Sequence, residues 1–248
     1  IVLYQNENID NRSRDQIERR LGEWLNFYLK YQFDPLMPCL AAECPVTVRG
    51  ICFHLVEGLG STPRYNIKTL VKGIDAAGRD YLGAHRIKLG KSSIYIPELL
   101  NSGKIRLRSL LWSIAKGLSA TSLMLIDGGV SYDASKAKKD FWLSTGYFTF
   151  GDRALRIDRV EKIASIMRRR SLQGPFVVTS DLFELADCNQ PNFSALAGQL
   201  GFQASTDEMG LTLSLKAKPK RRPLNAVARQ QKINPESPFA ALKDFVTR

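Results

Sequence analysis

From Cys44 to Arg64 the chain reads CPVTVRGICFHLVEGLGSTPR, and Val48, Ile51, Cys52, Leu55, Val56 and Leu59 recur at the i, i+3, i+4, i+7 spacing of a buried helical face. Pro45 suits the first helical turn, Gly58 and Gly60 suit the exit, and Pro63 prevents continuation. Phe53 falls on the opposite side, which predicts a helix enclosed by its neighbours.

Upstream, Ser13 followed by Gln16 has the spacing of a capping box. Ile17, Leu21, Trp24 and Tyr28 then share one stripe, with Leu25 and Leu29 beside it, so an amphipathic helix should run to Asp34-Pro35. Trp24, Tyr28 and Trp112 read as core rather than as base-stacking platforms. Leu36 to Ala42 suits a short second helix. Downstream, Asn66 can cap a helix carrying Ile67, Leu70, Val71, Ile74, Tyr81 and Leu82. Ile87 and Leu89, then Ile94 and Ile96, alternate about the turn Gly90-Lys91-Ser92-Ser93 and predict a hairpin. Leu107, Leu110, Leu111 and Ile114 form another helical stripe. Thr121 to Lys139 reads as a connection, and the aromatic, β-branched run Phe141 to Phe150 as a strand.

The pattern then becomes dense. Ile157, Val160, Ile163, Ala164 and Met167 mark a helix; Leu182, Phe183 and Leu185 a short one; Phe193, Leu196, Ala197 and Leu200 a third, stopped by Gly201. Phe202 to Ser205 and Leu211 to Leu215 suit two strands. Helix, short helix, helix, hairpin is the order of a winged helix-turn-helix. The expected fold is α+β and mostly α. A helical domain with a short hairpin spans 1–120, a linker 121–140, a winged-helix-like module 141–215, and a basic flexible tail 216–248 ending in the apolar patch Phe239, Ala240, Leu242 and Phe245.

Charge adds a direction. Lysine and arginine number 36 against 24 acidic residues, a formal net charge of +12, which favours a polyanionic partner or is incidental surface charge. No secretory signal or membrane-length apolar run is visible, so no membrane partner is expected. Four cysteines, Cys39, Cys44, Cys52 and Cys188, fit reduced thiols and a cytoplasmic location. The chain begins with Ile1 rather than Met, consistent with processing or with a longer parent.

Candidate chemistry is sparse. Gly90-Lys91-Ser92 resembles the end of a phosphate-binding loop, but His85 stands where the motif needs its first glycine. Cys39, Cys44, Cys52 and His54 are possible soft ligands, and Cys39 and Cys44 have four residues between them, but Cys52 and His54 would leave the helix in different directions and Cys52 lies on the apolar stripe. No catalytic or metal residue is assigned, and no cofactor is expected in this chain. The basic features lead further. Arg168, Arg169 and Arg170 end a helix, where they suit either phosphate contact or the helix dipole. Asn189, Gln190, Asn192 and Ser194 begin the expected recognition helix, where they can reach phosphates or bases, or simply cap it. Lys216, Lys218, Lys220, Arg221, Arg222, Arg229 and Lys232 form a basic arm with no acidic residue between Met209 and Pro235.

Three segments carry a resemblance: RGICFHLVEGLGSTPR (49–64), IKLGKSSIYIPELLNSGKIRLRSLLWSIAKG (87–117) and GYFTFGDRALRIDRVEKIASIM (146–167). With the closing SPFAALK and the upstream WLNFYLKYQFDPL, they resemble the C-terminal region of alphaproteobacterial superfamily 2 DEAD/DEAH-box helicases, related to the mitochondrial degradosome RNA helicase. The resemblance implies an ATPase core upstream of Ile1, where ATP and magnesium would act. It implies RNA or DNA as partner, along with the chain's own helicase core. The chain by itself would then not be an enzyme. The cysteines at 39, 44 and 52 are outside the family pattern. The alternatives are a protein-interaction module that docks a nuclease or other partner without touching nucleic acid, and a small hydrolase with an unfamiliar site.

Overall fold

Glycines at helix exits, short polar caps and alternating apolar runs divide the chain into ten helices and nine short strands among the described residues. The computed structural model describes residues 10–119, 122–207 and 210–216. The class is α+β and mostly α, as the periodicity predicts.

Helix α1 (Asn11–Gln32) is capped by Asp10, whose carboxylate accepts the Ser13 N–H at 3.3 Å. The cap expected at Ser13 therefore lies one helical turn earlier. No residue of α1 is buried. Trp24 is 59% exposed, so its expected place in the core is overturned; Tyr28 stacks on it and is only half-buried. After α2 (Met37–Leu40), α3 (Val46–Glu57) buries Val48, Ile51, Cys52 and Leu55 as the spacing predicts. Phe53 is 59% exposed, so the outer side of α3 is open rather than enclosed.

Strand β1 (Ser61–Pro63) leads through the turn Arg64–Ile67 into α4 (Lys68–Lys72). The single helix expected after Asn66 is split: Gly73 ends α4, and α5 (Ala76–Ala84) restarts on Asp75, which accepts the Gly78 N–H at 2.8 Å. The hairpin β2 (Lys88–Leu89) and β3 (Ser93–Tyr95) forms as expected and gains β1 as a third strand, in the order β1–β3–β2.

Helix α6 (Ser102–Ala115) turns Ile105, Arg108, Ser109 and Ser113 inward, while Ile114 is 59% exposed. The expected leucine stripe only flanks that face. The serines explain the rotation: Ser113 Oγ bonds the Ser109 carbonyl at 2.9 Å and accepts the Met124 N–H at 3.1 Å. The expected connection 121–140 contributes β4 (Ser131–Asp133) to a sheet ordered β4–β6–β5. The expected strand Phe141 to Phe150 is mostly α7 (Lys139–Thr145), followed by β5 (Tyr147–Phe150). Between them Gly146 takes φ +89°, where a Cβ would sit 2.5 Å from Leu100 Cδ2. Phe141 and Trp142 are buried with Ile105, Tyr147 and Ala154, so α6 and α7 share one aromatic core.

Strand β6 (Arg153–Arg156) precedes α8 (Ile157–Arg170), β7 (Phe176–Val177), α9 (Ser180–Ala186), α10 (Gln190–Gln199), β8 (Phe202–Asp207) and β9 (Gly210–Leu215). The sheet order β7–β9–β8 gives the winged helix-turn-helix arrangement. The short β7 adds a strand the sequence pattern does not announce.

Two polar anchors tie these parts together, and the described residues up to Leu215 form one compact unit. Arg108 is fully buried and donates to the carbonyls of Ser144 (2.9 Å), Leu99 (3.3 Å) and Gly58 (3.2 Å) and to Ser61 Oγ (2.6 Å). Glu161, on α8, accepts the backbone N–H groups of Lys91 (2.6 Å), Ser92 (2.8 Å) and Ser93 (3.0 Å) and the Ser92 hydroxyl (2.5 Å). The phosphate-loop-like turn thus cradles a carboxylate of its own chain. Gly90 is required there, because a Cβ would lie 2.4 Å from Glu161 Cδ.

Candidate nucleic-acid interface

A basic concavity lies where the hairpin, α7 and the winged-helix module meet. It is a cleft of about 410 Å³ lined by Arg64, Tyr65, Lys68, Lys91, Ser92, Lys139, Leu143, Phe148, Thr149 and Gln199. Four of these side chains are cationic and none is acidic. Each has a structural reason to be there. Arg64 leaves β1 and is pinned to the hairpin turn: its N–H donates to the Ser92 carbonyl at 2.9 Å and Nη1 to the Gly90 carbonyl at 2.5 Å. Lys68 opens α4 one turn later, and Lys91 tops the turn that Glu161 holds. Lys139 opens α7, its Nζ lying 6.0 Å from the centre of the Tyr65 ring. Tyr65 itself is 51% exposed.

Two carboxylates stand close to this lining. Glu161 is held by four neutral donors in the turn that carries Lys91 and Ser92 and offsets part of the charge there, while Asp140 pairs with Lys116 at 3.2 Å. Four cations against one unpaired carboxylate leave the cleft net positive, and a concave wall concentrates that field. Such a surface can hold two or more phosphates in a row.

The residues singled out from sequence are placed differently. Arg168 and Arg169 are exposed in the last turn of α8. Arg170 instead ties α8 to α9, donating to Thr179 Oγ1 at 2.6 Å and pairing with Asp181 at 2.9 Å. The Thr179 hydroxyl and Arg170 hold the Asp181 carboxyl below the usual carboxylate range. Asn189 caps α10 by accepting the Asn192 N–H at 3.2 Å. Asn192 Oδ1 accepts the Asp152 N–H at 3.3 Å, Gln190 Nε2 donates to Thr206 Oγ1 at 3.3 Å, and Ser194 Oγ bonds the Gln190 carbonyl at 3.0 Å. Helix α10 carries no lysine or arginine. Its N-terminal end borders a cavity of about 610 Å³ lined by Asp152, Glu184 and Asp187, with Arg153 already paired to Asp187 at 2.6 Å. Lys216 is exposed. Lys218, Lys220, Arg221, Arg222, Arg229 and Lys232, and the apolar patch around Phe239 and Phe245, lie outside the described residues.

Cys39, Cys44 and Cys52 do meet, as buried thiols of the α3 core, with Cys44 Sγ 3.5 Å from Cys52 Sγ. Burial pushes the Cys44 thiol up to about 11. Hydrogen bonding with Cys39, then burial, push Cys52 up as well. His54 is away from them, 3.4 Å from Glu57. Among the described residues no group of three histidine, cysteine or acidic side chains has the geometry to hold a metal ion, and no helix is long and apolar enough to cross a membrane.

No family model, no curated protein and no solved structure matches the chain.

Proposed function

We propose that this chain is an accessory region that holds RNA or DNA through its phosphate backbone, in the cleft between the hairpin, α7 and the winged-helix module. The convergence of Arg64, Lys68, Lys91 and Lys139 on one concavity whose lining holds no acidic side chain carries the reading. The net charge of +12 and the basic arm after Leu215 support it. The resemblance of residues 49–64, 87–117 and 146–167 to alphaproteobacterial helicases supplies the setting: a parent whose upstream core hydrolyses ATP with magnesium, while this region guides the strand. The test is fluorescence anisotropy of a labelled 15-nucleotide strand with the full chain and with the variant K68E/K91E/K139E. Contact with four phosphates gives log Kd a slope on log salt of about 2.8, and reversal of three cations should remove most of it. Affinity and slope unchanged in the variant would reject the cleft as the binding surface.

A second reading, docking of a partner protein, has its own observation. Helix α1 exposes Ile17 (39%), Trp24 (59%), Phe27 (71%) and Tyr31 (70%), a stripe larger than scattered surface apolar residues. A nuclease seated on α1 would bind independently of salt and lose affinity on F27S/Y31S substitution, while K68E/K91E/K139E would leave it unchanged.

A further inference from the structure

The anatomy of the cleft also bears on which form of nucleic acid enters it, an inference that rests on the reading above. The lining is not cationic alone. Leu143 and Phe148 bring half-buried apolar side chains to it, and Tyr65 is half-exposed beside the Lys139 ammonium. A duplex offers a protein its phosphates and groove edges, while its base faces stay stacked inside. It could use the four cations only. A single strand exposes base faces, which stack on aromatic rings irrespective of sequence, while its backbone follows a cationic groove.

The winged-helix module is turned the same way. Groove reading would insert α10 by its N-terminal residues, yet that end lies beside Asp152, Glu184 and Asp187, of which Arg153 pairs only with Asp187, and the helix itself has no cation. The module instead lends the cleft Gln199, from the opposite end of α10, together with Phe148 and Thr149 of β5.

We infer that the cleft is a single-strand site: phosphates lie along the four cations, one base stacks on Tyr65, and Leu143 and Phe148 take a neighbouring base, while α10 does not enter a duplex groove. The experiment uses the full chain with fluorescein-labelled rU15, dT15 and a 15-base-pair duplex, at matched salt, with heparin as a competing polyanion that has no bases. Both single strands should bind at least about tenfold tighter than the duplex. Y65A should weaken single-strand binding by about five- to a hundredfold, the range for loss of one base–aromatic stack. Y65F should restore it, and the salt slope should be the same for both variants, since stacking releases no counterion. Heparin affinity should be indifferent to Tyr65. RNA against DNA is read from the two homopolymers. Equal affinity for duplex and single strand, or a Y65A variant that binds as tightly as the original chain, overturns the single-strand assignment while leaving the phosphate-binding reading in place. Absence of binding to all three nucleic acids overturns both. Thermal melts of Y65A and Y65F, at a half-exposed position, establish that the compared proteins are folded.

Discussion

Replacing Arg108 by methionine tests whether buried hydrogen bonds join the helical half of the chain to α7. Arg108 is wholly enclosed and has no carboxylate partner; its four bonds reach Gly58, Ser61, Leu99 and Ser144. Burial pushes the guanidinium down from its usual range to about 9. At about 1.36 kcal/mol per unit, that displacement means the buried charge costs about 5 kcal/mol. Four hydrogen bonds from a charged donor return about 1.5–3 kcal/mol each, about 6–12 in sum. R108M removes both contributions, so the expected net loss is about 4 kcal/mol, a large share of the roughly 5–15 kcal/mol available to a domain. R108K keeps a charge but cannot fork toward both Ser144 and Gly58, and should lose about half as much. Urea denaturation followed by circular dichroism measures both. The pH dependence has a definite sign. Burial disfavours the charged guanidinium in the folded chain relative to the unfolded one, so this group's contribution to stability rises with pH above about 9. Below it both states hold the proton and the dependence vanishes. R108M should abolish that rise. An R108M variant as stable as the original chain, or more so, would refute the reasoning and make the guanidinium a net cost.

Other consequences are as direct. E161A releases the four donors of the Gly90–Ser93 turn and should cost about 2–4 kcal/mol in urea unfolding, and E161Q, which keeps the Oε1 acceptor, about half of that. Equal stability of E161A and the original chain would show that the carboxylate does not hold the turn. F27S/Y31S changes two side chains that are 71% and 70% exposed and should leave the melting temperature almost unchanged; a large drop would mean that α1 packs on the body. Burial pushes the thiols of Cys44 and Cys188 up to about 11 each. At pH 8 roughly one such thiol in a thousand is ionised, so alkylation in the native protein should be slow and rise about tenfold per pH unit up to pH 10. Rapid stoichiometric labelling of either residue at pH 7 would contradict their placement.

The readable parts of this fold are those specified locally. The inward face of α3 and the helices of the winged-helix module each follow from apolar spacing within one segment, and Asn189 and Gly201 mark α10 by their own chemistry. Phe141 to Phe150 misleads because aromatic residues favour strands until packing overrides them; burial of Phe141 and Trp142 against α6 makes that run a helix. The inward side of α6 escapes detection because Arg108, Ser109 and Ser113 are polar, and their partners lie on other elements. For the cleft, Arg64 and Lys68 sit one helical turn apart and are legible as a pair. Lys91 and Lys139 join them only through the hairpin turn and α7, so no stretch of sequence displays the four together. The arginine cluster at 168–170, conspicuous in the sequence, is split by Arg170's pairing with Asp181.

The most direct measurement of where the strand lies is photo-crosslinking of a single strand containing 4-thiouridine or 5-iodouracil to the full chain, with adducts located by mass spectrometry. The cleft account expects adducts on peptides containing Tyr65, Lys91 and Phe148, lost on addition of unlabelled strand and weakened by K68E/K91E/K139E. Adducts confined to residues 168–170, to 189–194, or to the chain after Lys216, with none from the cleft, would contradict it.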